Sequence, residues 1–207
     1  MIVFLDFEAS SLRKDSYPIE IAWVFEDGRS TTRLIRPTPE WTDWSYEAEK
    51  IHGITRGLLM AQGIAVEDVA EEMLRELAGH DLFASAPSWD GKWLSTLLRG
   101  AGHPRHALRL AKSDEAFATA ARDIMGETVP DKEIRQLVRE VIAATEPPVS
   151  PAHRALPDAQ LELERWQKVR RVAAERTQGG QRLMALAPDG QAICGSMKPS
   201  KKDANSS

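Results

Sequence analysis

Residues 2 to 7, IVFLDF, open the chain as a nearly unbroken apolar run, the pattern of a strand covered on both faces. PIEIAWVFEDGRSTTRLIRP, residues 18 to 37, then reads as strand, turn and strand. Asp27-Gly28 supplies the positive-φ residues that a tight hairpin prefers. Between Pro37 and Gln62 lies an aromatic stretch with no clear period, expected to be irregular. Val66, Val69, Met73, Leu74 and Leu77 recur at helical spacing, and Gly79 is placed to stop that helix. DLFASA, residues 81 to 86, is a fourth short strand, followed by a helix carrying Trp93, Leu94, Leu97 and Leu98 and closing near Gly100. A fifth strand is expected around Ala107 to Ala111.

Two further helical segments follow, DEAFATAARDIM and KEIRQLVREVIAA. EPPVSPAHRALP breaks the chain with four prolines, which disfavour helix at and before their positions. A last helix is expected from Asp158 to about Arg176, with Leu161, Trp166 and Val169 facing the core. Beyond Thr177 the pattern fades: RLMALAPDGQAICG suggests a small hairpin around Pro188-Asp189-Gly190, and KPSKKDANSS a disordered tail. The division expected is one domain over residues 1–176 and a partly disordered extension over 177–207. Strands leading into alternating strands and helices give an α/β fold, with an antiparallel hairpin at one side of the sheet.

Composition narrows the chemistry. With 207 residues, 42% of them hydrophobic, the chain can bury one real core. Its formal net charge of −4 rules out a broad basic coat, so a polyanion must be held locally, by metal or by a small basic patch. Cys194 is the only cysteine, which excludes an internal disulfide and an all-cysteine metal site. No signal-peptide pattern is visible, and no run reaches the ~18 apolar residues of a membrane span. The expectation is a cytoplasmic protein that does not enter membranes.

Against that background FLDFEASSL, residues 4 to 12, raises a question, because it places Asp6 and Glu8 inside hydrocarbon. Alternate residues of a strand share a face, so the two acids project together with Phe7 opposite. Two carboxylates so close repel and lose hydration. A divalent cation relieves both, and carboxylate oxygens suit Mg²⁺ or Mn²⁺. Asp90 lies at the start of the helix after the fourth strand, where plain capping is its ordinary role. His153 lies in the proline-rich lead-in to the last helix, and Asp158, five residues on, lies in its first turn, so both can lean toward one point. A lone histidine in such a loop is ordinarily just solvated.

Taken together, FLDFEASSL, SWDGKWLSTLL and HRALPDAQL resemble, in this order and at these separations, the three motifs of the DnaQ-like (DEDDh) 3′–5′ exonucleases. IHGIT at 51 to 55 resembles a segment that family carries between its first and second motifs. The similarity covers about residues 1 to 170. It implies a ribonuclease-H-like mixed five-stranded sheet flanked by helices. It also implies two Mg²⁺ or Mn²⁺ ions held by Asp6, Glu8, Asp90 and Asp158, with His153 as general base. The residues that would meet substrate are Ser10, Leu12, His52, Ile54 and Trp89. Two departures stand out: Ala9-Ser10-Ser11 replaces a frequent Thr-Thr-Gly, and Ala86 stands where an asparagine is common.

The reaction implied is hydrolysis at the 3′ end of single-stranded DNA or RNA, releasing nucleoside 5′-monophosphates. Trp41, Trp44 and Tyr46 offer ring faces for terminal bases, although packing is the ordinary role of each tryptophan. Lys92 and Arg154 are candidate phosphate contacts. Past Gln160 nine basic residues face five acids, a surface that either tracks a backbone weakly or is simply solvated. The helices between 114 and 145 offer apolar positions to a second copy of the chain, a homodimer. The competing reading is an inactive nuclease-fold module that binds nucleic acid or a protein; Ala9 and Ala86 favour it, and the intact acid and histidine set opposes it. No P-loop or Gly-x-Ser-x-Gly elbow is present.

Overall fold

A computed structural model describes residues 1–146 and 153–186. Five strands form one sheet in the order β3-β2-β1-β4-β5. The central strand β1 (Ile2–Ala9) pairs antiparallel with β2 (Pro18–Phe25), which pairs antiparallel with β3 (Ser30–Leu34). On its other side β1 runs parallel to β4 (Asp81–Ala84), and β4 to β5 (Leu110–Lys112). The expected hairpin is present: Phe25 and Arg29 close it, with Gly28 at φ 91°. The fifth strand sits slightly later than the sequence suggests.

The pleat divides the core in two. Val3, Leu5 and Phe7 of β1 face one way, with Ile21, Trp23 and Phe25 of β2. They pack under α3 (Val66–Leu77) and α4 (Pro87–Gly100), whose Val69, Met73, Leu94, Leu97 and Leu98 are all buried. Phe4 faces the other way with Ala22 and Val24, under α5 (Ser113–Met125), α6 (Asp131–Ala143) and α7 (Ala155–Leu186). On this second face of β1 the series Ile2, Phe4, Asp6, Glu8 passes from hydrocarbon to carboxylate. The apolar positions of α6 offered above to a second copy, Ile134, Leu137, Val138 and Val141, are instead buried within the chain.

α7 lies over that second face. Its inward positions are Ala155, Ala159, Leu163, Trp166, Val169 and Ala173, at spacings of three and four. Ala155 and Ala159, fully buried on either side of Asp158, lie at the acidic end of β1, where a larger residue would hold the helix off the sheet.

Three expectations need correction. The irregular stretch contains two short helices, α1 (Tyr46–His52) and α2 (Arg56–Gln62). Ser45 and Thr55 cap them by accepting from the amides of Ala48 and Leu58; seven residues are too few to display a 3.6 period, so the caps were the readable signal. The last helix starts at Ala155, ahead of Pro157, because a proline in the first turn removes no helical hydrogen bond. It also runs to Leu186, so helix occupies the start of the expected hairpin. The rest of that hairpin, Cys194 and the expected tail lie outside the described residues. Among the described residues no helix is long and apolar enough to cross a membrane.

Phe117 is 1% exposed, its ring centroid 6.0 Å from that of Phe4. Phe117→Ala should cost about 3–5 kcal/mol by leaving a cavity between α5 and the sheet. Urea unfolding checks this; a loss under about 1 kcal/mol would contradict the packing described.

Candidate metal centre and active site

Asp6, Glu8 and Asp158 meet at the carboxyl end of β1. Each offers an oxygen within 4.8 Å of the others, a span that an oxygen-ligated ion with bonds of about 2.1 Å needs little contraction to bridge. β1 supplies the first two through its two-residue period, and α7 supplies the third from its first turn, where the helix dipole favours an anion.

Crowding shows in the acid–base behaviour. Burial raises the Asp6 carboxyl well above its usual range, and the charges of Asp90, Asp158 and Glu8 add to it. Glu8 is pushed up to about 8, chiefly by burial and then by Asp158 and Glu20, against the opposing charge of Arg154. Asp158 is raised by burial, partly offset by His153. A hard divalent cation is the natural counter-charge for such a donor set.

Asp90 stands apart from that trio. Its side chain is buried, and its Oδ2 accepts the Ala86 amide at 3.3 Å, the capping role its position suggests. Burial raises it to about 7, against the stabilising amides of Ala86 and Phe7. Its charge nonetheless acts on Asp6, as the first cause after burial of that carboxyl's raised proton affinity.

His153 lies just before α7, half-exposed, with Nδ1 3.8 Å from Asp158 Oδ2. It lines a cavity of about 330 Å³ with Glu8, Leu12, His52 and Trp93. His52 is buried, and its Nδ1 accepts the Ile54 amide at 3.0 Å. That bond leaves the proton on Nε2, which is buried with no hydrogen-bond partner among the described residues. Burial lowers the basicity of this ring, in keeping with a neutral imidazole.

Several expected substrate contacts are engaged within the chain. Ser10 is fully buried, donates to Asp43 at 3.0 Å and accepts the Tyr17 amide at 3.2 Å, so its hydroxyl holds the loop after β1. The Ile54 side chain is fully buried with Tyr17, Ile19 and Leu59. Lys92 donates to Arg13 O at 2.6 Å and Ser16 Oγ at 2.8 Å. Arg154 forks onto Glu20. Trp41 stacks on Tyr17, centroids 5.2 Å apart, and Trp44 donates to Glu49. Leu12 and Tyr46, each 71% exposed, and Trp89, 38% exposed and stacked on Trp93, remain open to solvent. In the basic stretch past Gln160, Arg176 pairs with Glu140 on the surface, whereas Arg165, largely buried, pairs with Glu162 and Glu146.

Three acids at the site escape a motif-based reading. Glu20 lies in a strand buried throughout, the signal that singled out Asp6 and Glu8. Glu162 follows Asp158 by one helical turn and is buried beside Arg165. Asp43, which receives both Ser10 and Ser11, carries no sequence signal at all.

No protein-family model matches the chain, and no curated protein sequence does. Solved structures are similar. Zinc-bound E. coli exonuclease I in complex with single-stranded DNA superposes with a TM-score of 0.59 at 17% identity, over 89% of this chain and 44% of that one. Exonuclease I from Methylocaldum szegediense gives 0.56 at 15% identity, over 90% and 46%. A product-bound exonuclease I gives 0.58 at 15%, over 89% and 48%. The chain thus spans less than half the length of these structures. The likeness establishes the fold, a ribonuclease-H-like α/β sheet flanked by helices.

The raised acids set a stability slope. Native Glu8 keeps its proton to about 8, whereas its ordinary value is 4.5; for Asp90 the values are about 7 and 3.8. Between those limits the native state binds more protons than the unfolded chain, so stability is greatest in acid and falls as pH rises. The Tm of metal-free protein should drop by several degrees from about pH 5 to about pH 8, and saturating Mn²⁺, which binds the deprotonated acids, should flatten the slope. A Tm independent of pH without metal would contradict the buried cluster.

Proposed function

We propose that the chain is a divalent-metal-dependent exonuclease that removes nucleoside 5′-monophosphates from the 3′ ends of single-stranded DNA or RNA. The observation that supports this most is the convergence of Asp6, Glu8 and Asp158 on one point, with His153 beside it. The single-stranded DNA named for the E. coli exonuclease I complex fits the same reading. Asp6, Glu8 and Asp158 would hold Mg²⁺ or Mn²⁺, and Asp90, whose charge acts on Asp6, would complete the set. Bound there, two ions would neutralise the scissile phosphate and acidify the attacking water.

The protein's own groups do the rest. His153 stands where it can take the water's proton, and Asp158, 3.8 Å away, stabilises the imidazolium formed. The cavity beside it accepts the terminal nucleotide. Leu12 and Trp89 give that nucleotide and its neighbour apolar faces, and the neutral His52 ring forms part of the wall. The catalytic unit in this reading spans residues 1–176, with 177–207 as an extension. One observation favours an inactive binding module instead: Ser10, Lys92 and Arg154 are all bonded internally, which leaves fewer polar groups for a phosphate backbone.

Digestion of 5′-labelled DNA and RNA strands with Mg²⁺ or Mn²⁺ separates these readings. The expected result is a ladder shortening from the 3′ end. His153→Ala should lose about 10²- to 10⁴-fold in kcat and keep metal binding, whereas Asp6→Ala should lose both. Wild-type activity in either variant would rule out the assignment, and binding without cleavage by the native protein would favour the module.

A further inference from the structure

Glu20 on β2 lies directly across the antiparallel pair from Glu8 on β1. Cross-strand neighbours of like charge repel, and Glu20, 2% exposed, cannot relieve this through water. Its compensation comes from two consecutive residues on a distant part of the chain. Arg154 forks onto it, Nη2 to Oε1 at 2.5 Å and Nε to Oε2 at 2.9 Å, and the Ala155 amide donates to Oε2 at 3.0 Å. That amide is one of the donors a helix leaves unpaired at its start. The three donors belong to the segment between His153 and Asp158.

Holding α7 to the sheet does not require this arrangement, since Ala155, Ala159, Leu163, Trp166 and Val169 are already buried there. What the fork fixes is the direction from which the chain enters the helix, and with it where the neighbouring His153 stands. We propose that Glu20 and Arg154 form a latch that positions His153 against the metal-binding acids, so that Glu20 is a positioning residue for the hydrolysis. This rests on the exonuclease reading above.

Glu20→Gln keeps the shape of the side chain but turns an amide NH2 toward the guanidinium; Arg154→Lys keeps the charge and loses the fork. Each should lower kcat by about 10- to 100-fold on a labelled single strand, with KM within about twofold of wild type. In a His153→Ala background neither change should lower kcat further, because residues acting through one partner are not additive. Equal fold losses in both backgrounds would overturn the latch. Amide hydrogen exchange gives a reading free of turnover: residues 153–158 should exchange faster in Glu20→Gln while those of α3 are unchanged. Unchanged exchange at 153–158 would overturn the latch. If the wild-type protein cleaves nothing, the exonuclease reading fails and exchange alone decides whether the latch exists. Should Glu20→Gln not fold, Arg154→Lys carries both measurements.

Discussion

Mutual repulsion of carboxylates that the fold draws partly out of water governs this protein. Along one face of β1 the residues run Ile2, Phe4, Asp6, Glu8, and the same pleat that packs the first two under the helices leaves the acids half-buried. α7 then lowers Asp158 onto them. Nothing in local geometry requires this: a solvated loop would have carried three acids at no cost, since water would have screened them. Their cost is the raised proton affinity of Asp6, Glu8 and Asp158, and it is a cost that a divalent cation removes.

Packing makes the convergence possible. Ala155 and Ala159 let α7 approach the sheet above the acids, while Leu163, Trp166 and Val169 further along fill the space over Phe4, Ala22 and Val24. The Glu20–Arg154 pair adds direction to that approach. An ion pair with one partner buried, as Glu20 is, is weak ground for stability by itself, because desolvation offsets much of its attraction. Its value lies in geometry, as a bidentate fork tolerates little displacement.

The shared fold with exonuclease I at 15–17% identity shows how little of the sequence the architecture needs. The periphery of the site follows this chain's own arrangement. Ser10 and Ser11 both bond Asp43, and Lys92 bonds the loop at Arg13 and Ser16. These bonds tie down the loop after β1, and Leu12 stands out of it, 71% exposed at the mouth of the cavity. The surface offered to a ligand there is therefore largely apolar, flanked by one half-exposed histidine.

The elements themselves were largely readable from the amino acids. A continuous apolar run, an Asp-Gly turn and the 3.6-residue spacing of Val66, Val69, Met73 and Leu77 report burial directly, and burial follows periodicity. The acids at 6 and 8 were legible for the same reason, being out of place in such a run. Helices α1 and α2 were too short for a period to show, and Pro157 marked the wrong side of a helix start. Which partners the polar groups choose was not written locally. Arg154 and Glu20 are 134 residues apart, and Ser10 and Asp43 are 33 apart. Sequence alone thus determined the strands, the longer helices and which acids and histidine are candidates for a site. Only the folded chain decided that Asp158 joins Asp6 and Glu8 while Asp90 caps its own helix, and that Ser10, Lys92 and Arg154 are spent on the protein. The physical reason is that hydrogen-bond and charge partners are selected by three-dimensional proximity under desolvation, a quantity no spacing along the chain encodes.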